Sequence, residues 1–413
     1  MLPIIILALV FILISLRQVG GVRLEIWQVM LGGALLSLAL AQISPEKALL
    51  SINPDVMLFL FGMFVVGEAL ERSGYLSHLS YRIFRGARNQ DTLLLLVLFG
   101  TGMASAFLMN DTVAVIGAPV MLHLSRKHGM NPKILLLALC FAITTGSVMS
   151  PIGNPQNLLI TVDGPVPDPF VAFFSALLIP TVINLLACYF LLKSFHKAGR
   201  DPQELNHEEE PVKDERLASL SKIALTIIAI LVCLKIALVS LGSEMDFRLT
   251  YIALGAAFPI LAFSPSRMDI LRSIDWKTLV FFASMFVLME SVWESGFFQS
   301  LLEGAGIDLA STGAILGVSL ILSQFISNVP LVALYLPILL HEGASKAGLI
   351  ALAAGSTIAG NLTILGAASN VIVMQKAEKA GEMISFLEFA RIGIPLALIN
   401  VLVYWLFLSL FPP

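Results

Sequence analysis

The chain has 413 residues, of which 57% are hydrophobic and 13% charged, and its mean hydropathy is +0.90. So little polar surface excludes a soluble globular protein of this size and indicates an all-α polytopic membrane protein. The net charge of −3, with no basic or acidic tail in the sequence, gives no reason to expect a nucleic-acid partner.

The apolar segments are long enough to cross a bilayer, which takes about 17 to 25 residues. In chain order they predict about ten transmembrane helices, near residues 2–16, 24–43, 56–70, 134–160, 170–192, 223–241, 249–263, 279–292, 349–374 and 392–411. The first is expected to be an extra, uncleaved helix within 1–22, because no basic region or small-residue cleavage site is present. The polar segment 193–222 has the composition of a linker, and a helix within 223–247 connects the two halves.

Two further regions, 92–128 and 312–340, each hold two apolar arms separated by polar residues. The polar residues are Asn110-Asp111 in the first region and Ser327-Asn328 in the second. The apolar part of each second arm is too short to cross a bilayer at about 1.5 Å per residue. We therefore expect two re-entrant helical hairpins whose tips are buried in protein, where non-helical backbone is tolerated.

The basic residues fall on one side of this map. With the N-terminus placed outside, all of the 25 lysines and arginines except Lys47, Lys235, Arg248 and Lys346 lie on the inner side. Under the positive-inside rule, this bias predicts that both termini face outward and that the linker 193–222 is cytoplasmic. The expected location is the cell (inner) membrane.

The two halves of the chain repeat one pattern. Residues 52–74 align with 274–296 without a gap, and this pairs Glu68 with Glu290 and Gly74 with Gly296. Further pairs are Asn110 with Asn328, Pro119 with Pro337, His123 with His341, Thr144 with Thr357, Gly153 with Gly366 and Asn157 with Asn370. Because the charge bias gives the halves opposite orientations, we predict two inverted-topology repeats, 23–192 and 248–413, as in alternating-access transporters.

Polar residues also interrupt one helix in each repeat, at 150–157 within 134–160 and at 363–370 within 349–374. At such a break, free backbone N–H and C=O groups can bind an ion or solute, and matching breaks point to a transporter's binding site. The candidate substrate- or ion-binding residues are Asn110, Asp111, Thr112, Gly153, Asn154, Asn157, Ser327, Asn328, Thr363, Gly366, Ser369 and Asn370. The alternative is that the amides only satisfy kinked backbone.

Asp111 is the candidate coupling residue. A carboxylate at bilayer depth is costly, and acids placed there commonly serve ion or proton pathways. The alternative role for Asp111 is a structural hydrogen bond at the hairpin tip. Glu68, Glu290, His123 and His341 fall near predicted helix ends, so we interpret them first as interfacial groups.

The motifs at the tips and breaks have a recognisable form. They are Phe107-Leu108-Met109-Asn110-Asp111-Thr112-Val113-Ala114, Pro151-Ile152-Gly153-Asn154-Pro155-Gln156-Asn157-Leu158-Leu159-Ile160, Ser327-Asn328-Val329-Pro330 and Gly366-Ala367-Ala368-Ser369-Asn370. In these motifs the chain resembles the ion transporter superfamily and, within it, the ArsB/NhaD-like arsenite-permease group with a citrate-transporter-like domain. The resemblance implies two inverted repeats, each with one re-entrant hairpin and one broken helix, often in a homodimer. It also implies a small inorganic ion or solute as substrate, protons or sodium as coupling ions, and in some permeases a separate ATPase subunit.

The first tip distinguishes between substrates within this superfamily. Asn110-Asp111-Thr112 departs from the Ser-Asn-Thr signature of the sodium-dicarboxylate carriers and is more similar to the arsenite permeases. The leading hypothesis is therefore proton-coupled efflux of arsenite, antimonite or a related small inorganic ion. A sodium/proton antiporter is the alternative, and a sodium-coupled organic-anion carrier of the dicarboxylate or citrate type comes third.

Neither an enzymatic function nor a disulfide, metal or cofactor site finds support in the sequence. An enzyme is not expected, because neither paired acids nor a Ser-His set falls within the predicted spans. The cysteines, Cys140, Cys188 and Cys233, are too widely spaced for a disulfide framework or a metal site. We expect no cofactor and no certain metal site.

Overall fold

The computed structural model describes residues 2–16, 18–19, 22–195, 212–240, 247–297, 300 and 310–413. Most of the predicted linker, 196–211, lies outside the described residues. Nearly all of the described chain is helical, and the all-α membrane architecture predicted from the sequence is confirmed. One antiparallel pair of two-residue strands, Gln18–Val19 with Val22–Arg23, follows the first helix.

The helices of the first half are α1 Leu2–Leu16, α2 Ile26–Ala39, α3 Pro45–Ser51, α4 Pro54–Arg72, α5 Tyr75–Phe84, α6 Gln90–Leu108, α7 Asn110–Lys127, α8 Pro132–Ser147, α9 Pro155–Asp163 and α10 Pro169–Phe195. The connecting helix α11 is Glu215–Ser240. The second half forms α12 Leu249–Phe263, α13 Arg267–Ser273, α14 Trp276–Glu294, α15 Thr312–Ile326, α16 Asn328–His341, α17 Lys346–Ile358, α18 Ala368–Lys379 and α19 Phe386–Leu410. Two 3-10 turns, Ala359–Asn361 and Ile364–Gly366, lie between α17 and α18.

The membrane core combines full-length and half-length helices. Among the described residues, α6, α10, α11, α14 and α19 are each long and apolar enough to cross a membrane, and the bent pair of α3 and α4 is a sixth candidate span. Other apolar helices, including α8, α15 and α16, have only 10–17 residues. The helices α8, α15 and α16 belong to the predicted first broken helix and second hairpin, and they end inside the protein.

Four helices of the first half begin in the same way, with Asn or Ser followed by Pro. The N-cap residues are Ser44, Asn53, Asn131 and Asn154, and each side chain accepts a hydrogen bond from a backbone N–H of the first turn. Proline suits the next position because its missing N–H has no helical partner there. Asn154-Pro155 therefore explains how the broken helix restarts as α9.

Helix bounds recur between the two halves at positions that the sequence alignment pairs. The helices α3 and α13 have 7 residues each, and α4 and α14 have 19 residues each. A glycine with left-handed φ follows each long helix, Gly74 at 73° and Gly296 at 66°. The sequence did not predict α3 or α13, because a helix of this length holds too few apolar residues to show a period.

The halves pack on each other reciprocally. The helix α12 packs along α4, and α2 packs along α14. At these contacts the Arg248 guanidinium donates to Asp55 Oδ2 at 2.8 Å, and the Lys277 ammonium donates to Glu25 Oε2 at 2.7 Å. Each half therefore has one helix packed against the other half, and we call the assembly of α2, α4, α12 and α14 the frame.

The hairpins and broken helices interlock within this frame. The arms α6 and α7 pack against each other and against α8, and α15 and α16 pack in the same way against each other and α17. In addition, α7 packs on α18, and α16 packs on α9. Each hairpin therefore contacts the broken helices of both halves, which places the predicted site in the interior.

Candidate functional site

Both hairpin tips turn at a single residue with the same backbone conformation. Met109 has φ 66° and ψ 146°, and Ser327 has φ 66° and ψ 161°. A residue other than glycine in this region carries a cost on the order of 1–3 kcal/mol, which the surrounding structure must offset. The shared conformation is therefore a property of the fold, since the two side chains have nothing in common.

The first tip is tied to the first break. The Asn110 N–H donates to the Gly153 carbonyl oxygen at 3.0 Å, and the Asn110 Oδ1 accepts from the Asp111 N–H at 2.9 Å. Asn110 and Thr112 are both buried. At the break, the residue that accepts from Asn110 must be glycine, because a Cβ on Gly153 would lie 2.2 Å from the Ser147 carbonyl oxygen.

A single side chain closes the first break, which separates α8 from α9. The Asn157 Nδ2 donates to the carbonyl oxygens of Ser147, Val148 and Ser150 at 3.3, 3.4 and 2.9 Å. The Asn157 backbone N–H donates to Asn154 Oδ1 at 2.9 Å. These contacts satisfy carbonyl groups that the end of α8 would otherwise leave open.

The second break is closed in the same way with fewer contacts. The Asn370 Nδ2 donates to the carbonyl oxygens of Gly360 and Thr363 at 2.6 and 3.5 Å. From the hairpin arm α15, Gln324 donates to the Ala359 carbonyl at 2.9 Å and accepts from Thr363 Oγ1 at 2.7 Å. The site prediction missed Gln324, although a buried amide in an apolar arm is itself a signal.

Residues of each break hydrogen-bond to the helix that precedes the other break, α17 or α8. The Asn154 Nδ2 donates to Thr357 Oγ1 at 3.0 Å, and Thr357 Oγ1 donates to Asn157 Oδ1 at 3.2 Å. The Asn361 Nδ2 donates to Thr145 Oγ1 at 3.0 Å. The two breaks are therefore in direct contact. The site prediction omitted Thr145 and Thr357, although Thr357 stood out as one member of a repeat pair.

Among the described residues, several buried oxygen atoms at the tips and breaks have no hydrogen-bond partner. They are Asp111 Oδ1, Asn328 Oδ1, Thr144 Oγ1, Asn361 Oδ1, Ser369 Oγ and Asn370 Oδ1. A buried acceptor without a partner costs about 1–3 kcal/mol, so each is a candidate ligand atom. A set rich in carboxyl and amide oxygens favours a cation or a solute that donates through hydroxyl groups. Across the described ranges, no group of three or more His, Cys, Asp and Glu is placed to hold a metal ion.

The second tip differs from the first in its anchoring. In the part of the chain that the structure describes, no hydrogen bond joins Ser327 or Asn328 to the second break, and Asn328 is nonetheless buried.

Of the predicted site residues, the structure brings Asn110, Gly153, Asn154 and Asn157 into one network. Thr363 and Asn370 form a second network around Gly366.

The unfilled space along the first hairpin differs between the tip and the far end of α7. Towards α4, α11 and α12, the side chains of Met63, Lys235 and Ile252 close around Met109 and Thr112 and leave about 10 Å³, the lower limit for one water molecule. Along α7 and α18, by contrast, lies a cavity of about 1010 Å³. We call it the α7/α18 cavity. Its walls include Glu68, which accepts from Arg72 Nε at 2.8 Å.

Comparison with known families determines the class of protein. The model of the citrate transporter family, CitMHS, matches residues 6–348, which is most of the chain. This chain belongs to the citrate transporter family. The resemblance to the ion transporter superfamily is thereby confirmed, and the chain is an integral membrane transporter of small ions or solutes.

Relatives of this citrate transporter family member match most of its length. An uncharacterized transporter of Mycobacterium tuberculosis is 28% identical over 83% of this chain and 82% of its own. The silicon efflux transporter LSI3 of Oryza sativa is 26% identical over 89% of each chain. The P protein of Homo sapiens is 24% identical over 90% of this chain and 55% of its own. The crystal structure of the Alcanivorax borkumensis YdaH transporter aligns with a TM-score of 0.49 and 16% identity, covering 99% of this chain and 96% of that one.

Proposed function

We propose that this transporter exports a small hydroxylated inorganic acid, of the arsenous, antimonous or silicic type, in exchange for protons. The observation that carries the proposal is the set of buried, unpartnered oxygen atoms at the tips and breaks, which includes Asp111 Oδ1 and Asn328 Oδ1. Arsenous and silicic acids are uncharged near neutral pH and present hydroxyl donors to such acceptors. The relative named as a silicon efflux transporter supports the same class of solute.

Asp111 supplies the coupling in this proposal. Its Oδ1 is buried and has no hydrogen-bond partner. A lone carboxylate is costly away from water, so the group favours a bound proton or an adjacent cation. Alternate loading of Asp111 with a proton and of the other unpartnered acceptors with solute would give exchange. Asn328, at the other tip, would then bind solute without a change of charge.

The transport cycle is proposed to use the two halves as inverted repeats. The recurring helix bounds and the reciprocal packing of α2 on α14 and α12 on α4 support a twofold relation between them. Exchange of the two packings would alternate access to the site. By the positive-inside rule the α7/α18 cavity, with its many basic residues, faces the cytoplasm in the cell membrane, and both termini lie outside. A homodimer and a separate ATPase subunit stay predictions.

Other observations favour two other kinds of cargo. The basic lining of the α7/α18 cavity and the name of the family favour an organic anion such as citrate, carried with sodium. The oxygen-rich acceptor set also suits a sodium ion, as in a sodium/proton antiporter, because a hard cation prefers oxygen ligands. These interpretations differ in the solute that is carried, so they can be separated by flux measurements.

The decisive experiment measures flux in proteoliposomes. Liposomes loaded with arsenite or with silicic acid are diluted into acidic buffer, and the retained element is measured by mass spectrometry. We expect efflux to accelerate with the pH gradient and Asp111→Asn to abolish that response. Asp163→Asn, at an exposed end of α9, is the matched control and should behave as wild type. Flux of both acids that ignores the gradient would contradict the proposal, and sodium-dependent citrate uptake instead would favour the anion carrier.

A further inference from the structure

The walls of the α7/α18 cavity carry an excess of positive charge. Its basic side chains are Arg126, Lys213, Arg272, Lys277, Lys376 and Lys379, against the acids Glu68, Glu71 and Asp275. The acids are partly engaged elsewhere. Glu68 accepts from Arg72, and Asp275 Oδ1 caps α14 by accepting from the Thr278 N–H. A cleft lined by one sign of charge concentrates ions of the opposite sign.

Some of the basic groups already have protein partners. The Lys277 ammonium donates to both carboxylate oxygens of Glu25, and the Lys379 ammonium donates to the Ser273 carbonyl at 2.7 Å. Arg126 donates to the Ala380 carbonyl at 3.4 Å. These contacts fix the walls of the cavity. In the described part of the chain, the charged groups of Lys213, Arg272 and Lys376 have no such hydrogen-bond partner.

Lys376 is the most unusual of the three. It lies on α18 and is only 6% exposed, and the one described partner of its ammonium is the ring of Phe64, whose centroid lies 5.5 Å from Nζ. Within the described ranges its ammonium has no hydrogen bond and no ion pair. A buried cation without an anion costs several kcal/mol, and an aromatic face offsets only part of that cost. Its surroundings are therefore suited to a bound anion.

Arg272 and Lys213 approach the same cavity from other elements. Arg272 lies in the last turn of α13. Lys213 is held at the end of α4, because its backbone N–H donates to the Ser73 carbonyl at 2.9 Å. Among the residues with described positions, neither side chain forms an ion pair. An anion between them and Lys376 would be contacted by cations from the linker and from two helices of the second half, α13 and α18.

We propose that the α7/α18 cavity is a binding site for a compact multivalent anion, with Lys376 as its buried cation and Arg272 and Lys213 at its rim. Phosphate is the simplest such anion, since lysine and arginine both form charge-assisted hydrogen bonds with its oxygens. The site is separate from the tips. Pro119, on the cavity wall, is nine residues beyond Asn110, or ~13 Å along α7. The inference therefore does not depend on the proposed cargo.

The test is calorimetric titration of inorganic phosphate into the full-length protein in zwitterionic nanodiscs at low ionic strength. We expect wild type to bind phosphate, Lys376→Gln to bind about tenfold to a hundredfold more weakly, and Arg272→Gln to bind about tenfold more weakly. Lys376→Arg, which keeps the charge, should retain binding. Lys346→Gln removes an equal charge from the start of α17, outside the cavity, and should bind as wild type.

Several results would overturn the site. They are absence of phosphate binding by wild type, unchanged binding by Lys376→Gln in a protein that elutes and melts as wild type, and an equal loss in Lys346→Gln. Repeating the titration with phosphatidylglycerol in the nanodisc distinguishes the source of the anion. Weaker phosphate binding there indicates that a lipid headgroup occupies the site, and unchanged binding indicates a soluble anion. Asp111→Asn should bind phosphate normally, which separates this inference from the proposed function.

Discussion

The two hairpin tips have the same backbone and different chemistry. Met109 and Ser327 both turn the chain at φ 66°, but the first tip continues as Asn110-Asp111 and the second as Asn328-Val329. In the described part of the chain, only the first tip has a backbone N–H bonded to a break, that of Asn110 to the Gly153 carbonyl oxygen. The comparison teaches that the turn belongs to the duplicated fold, whereas the acid belongs to one half alone. Proton or cation coupling is therefore expected to be asymmetric.

The two breaks show the opposite asymmetry. At the first, Asn157 donates to three carbonyls and accepts from Thr357, so its side chain is fully occupied. At the second, the oxygens of Asn361, Ser369 and Asn370 have no partner. The first half therefore supplies the acid and the second half supplies most of the free acceptors. A solute that needs both must sit between the halves.

The largest effect is expected from exchanging chemistry at the tips. Asp111→Asn should remove the response of flux to a pH gradient, whereas Asn328→Ala should keep that response and raise the half-saturating solute concentration about threefold to tenfold, as expected for one lost hydrogen bond. Initial rates at varied solute, with and without the gradient, measure both. Loss of coupling in Asn328→Ala, with Asp111→Asn still coupled, would reverse the assignment of roles.

Substitutions of the glycines at the breaks test whether both breaks depend on the same close approach of backbone segments. A Cβ would lie 2.2 Å from a carbonyl oxygen at Gly153 and 2.5 Å at Gly366, so each Gly→Ala substitution should destabilise the protein by roughly 1–3 kcal/mol or more. Gly100 and Gly317 lie in hairpin arms with no atom within 4 Å of the added methyl, and their alanine variants are the controls. Thermal unfolding in detergent measures all four. Equal stability at the breaks and the arms would contradict the close backbone approach.

Substitutions of Asn157 and Asn370, which the repeat alignment pairs, should affect stability and solute binding to different degrees. Asn157→Ala removes donors to three carbonyls and is expected to cost about 2–4 kcal/mol, at about 1 kcal/mol for each hydrogen bond. Asn370→Ala removes fewer contacts but also a free acceptor, so it should lower the melting temperature less and weaken solute binding more. Melting curves with and without solute distinguish the two. The opposite ranking would show that the free Asn370 oxygen is not a ligand.

Much of the fold was visible in the sequence because polar residues mark its interruptions. The bounds of α1 and α12 match the predicted segments 2–16 and 249–263, since each apolar run ends in polar residues. Asn110-Asp111 and Ser327-Asn328 marked the positions of the tips for the same reason. Short helices such as α3 gave no such contrast with their surroundings.

The state of each site residue could not be predicted, because it depends on contacts between distant parts of the chain. Asn154 and Thr357 meet only because α9, which Asn154 caps, packs on α17, and nothing in either local sequence specifies that contact. Lys376 was counted among the inner basic residues from its position near a span end. Its burial against Phe64 depends on how α18 packs in the frame.

The smallest effect is expected at the reciprocal ion pairs that join the halves, Lys277 with Glu25 and Arg248 with Asp55. Burial on its own raises the pKa of Glu25, but hydrogen bonds from Lys277 and Trp27 outweigh it and leave the pKa below its ordinary value of 4.5. A lowered folded-state pKa adds stability above the unfolded-state value, and this stability is lost as the pH falls through the folded-state value. The pair is 53% and 38% exposed, so solvent screening limits its contribution to about 1 kcal/mol or less.

Melting curves from about pH 6 to about pH 4 should therefore fall slightly further for wild type than for Glu25→Gln, because only wild type has this stabilisation to lose. Asp55→Asn provides the comparison at the reciprocal contact, where Thr250 Oγ1 also donates to the Asp55 backbone oxygen at 3.0 Å and survives the substitution. Identical pH slopes for wild type and Glu25→Gln would show that the Lys277 contact adds no stability. The other contacts between the halves, which include the Arg248–Asp55 ion pair and the apolar packing of α2 on α14 and α12 on α4, would then account for their association.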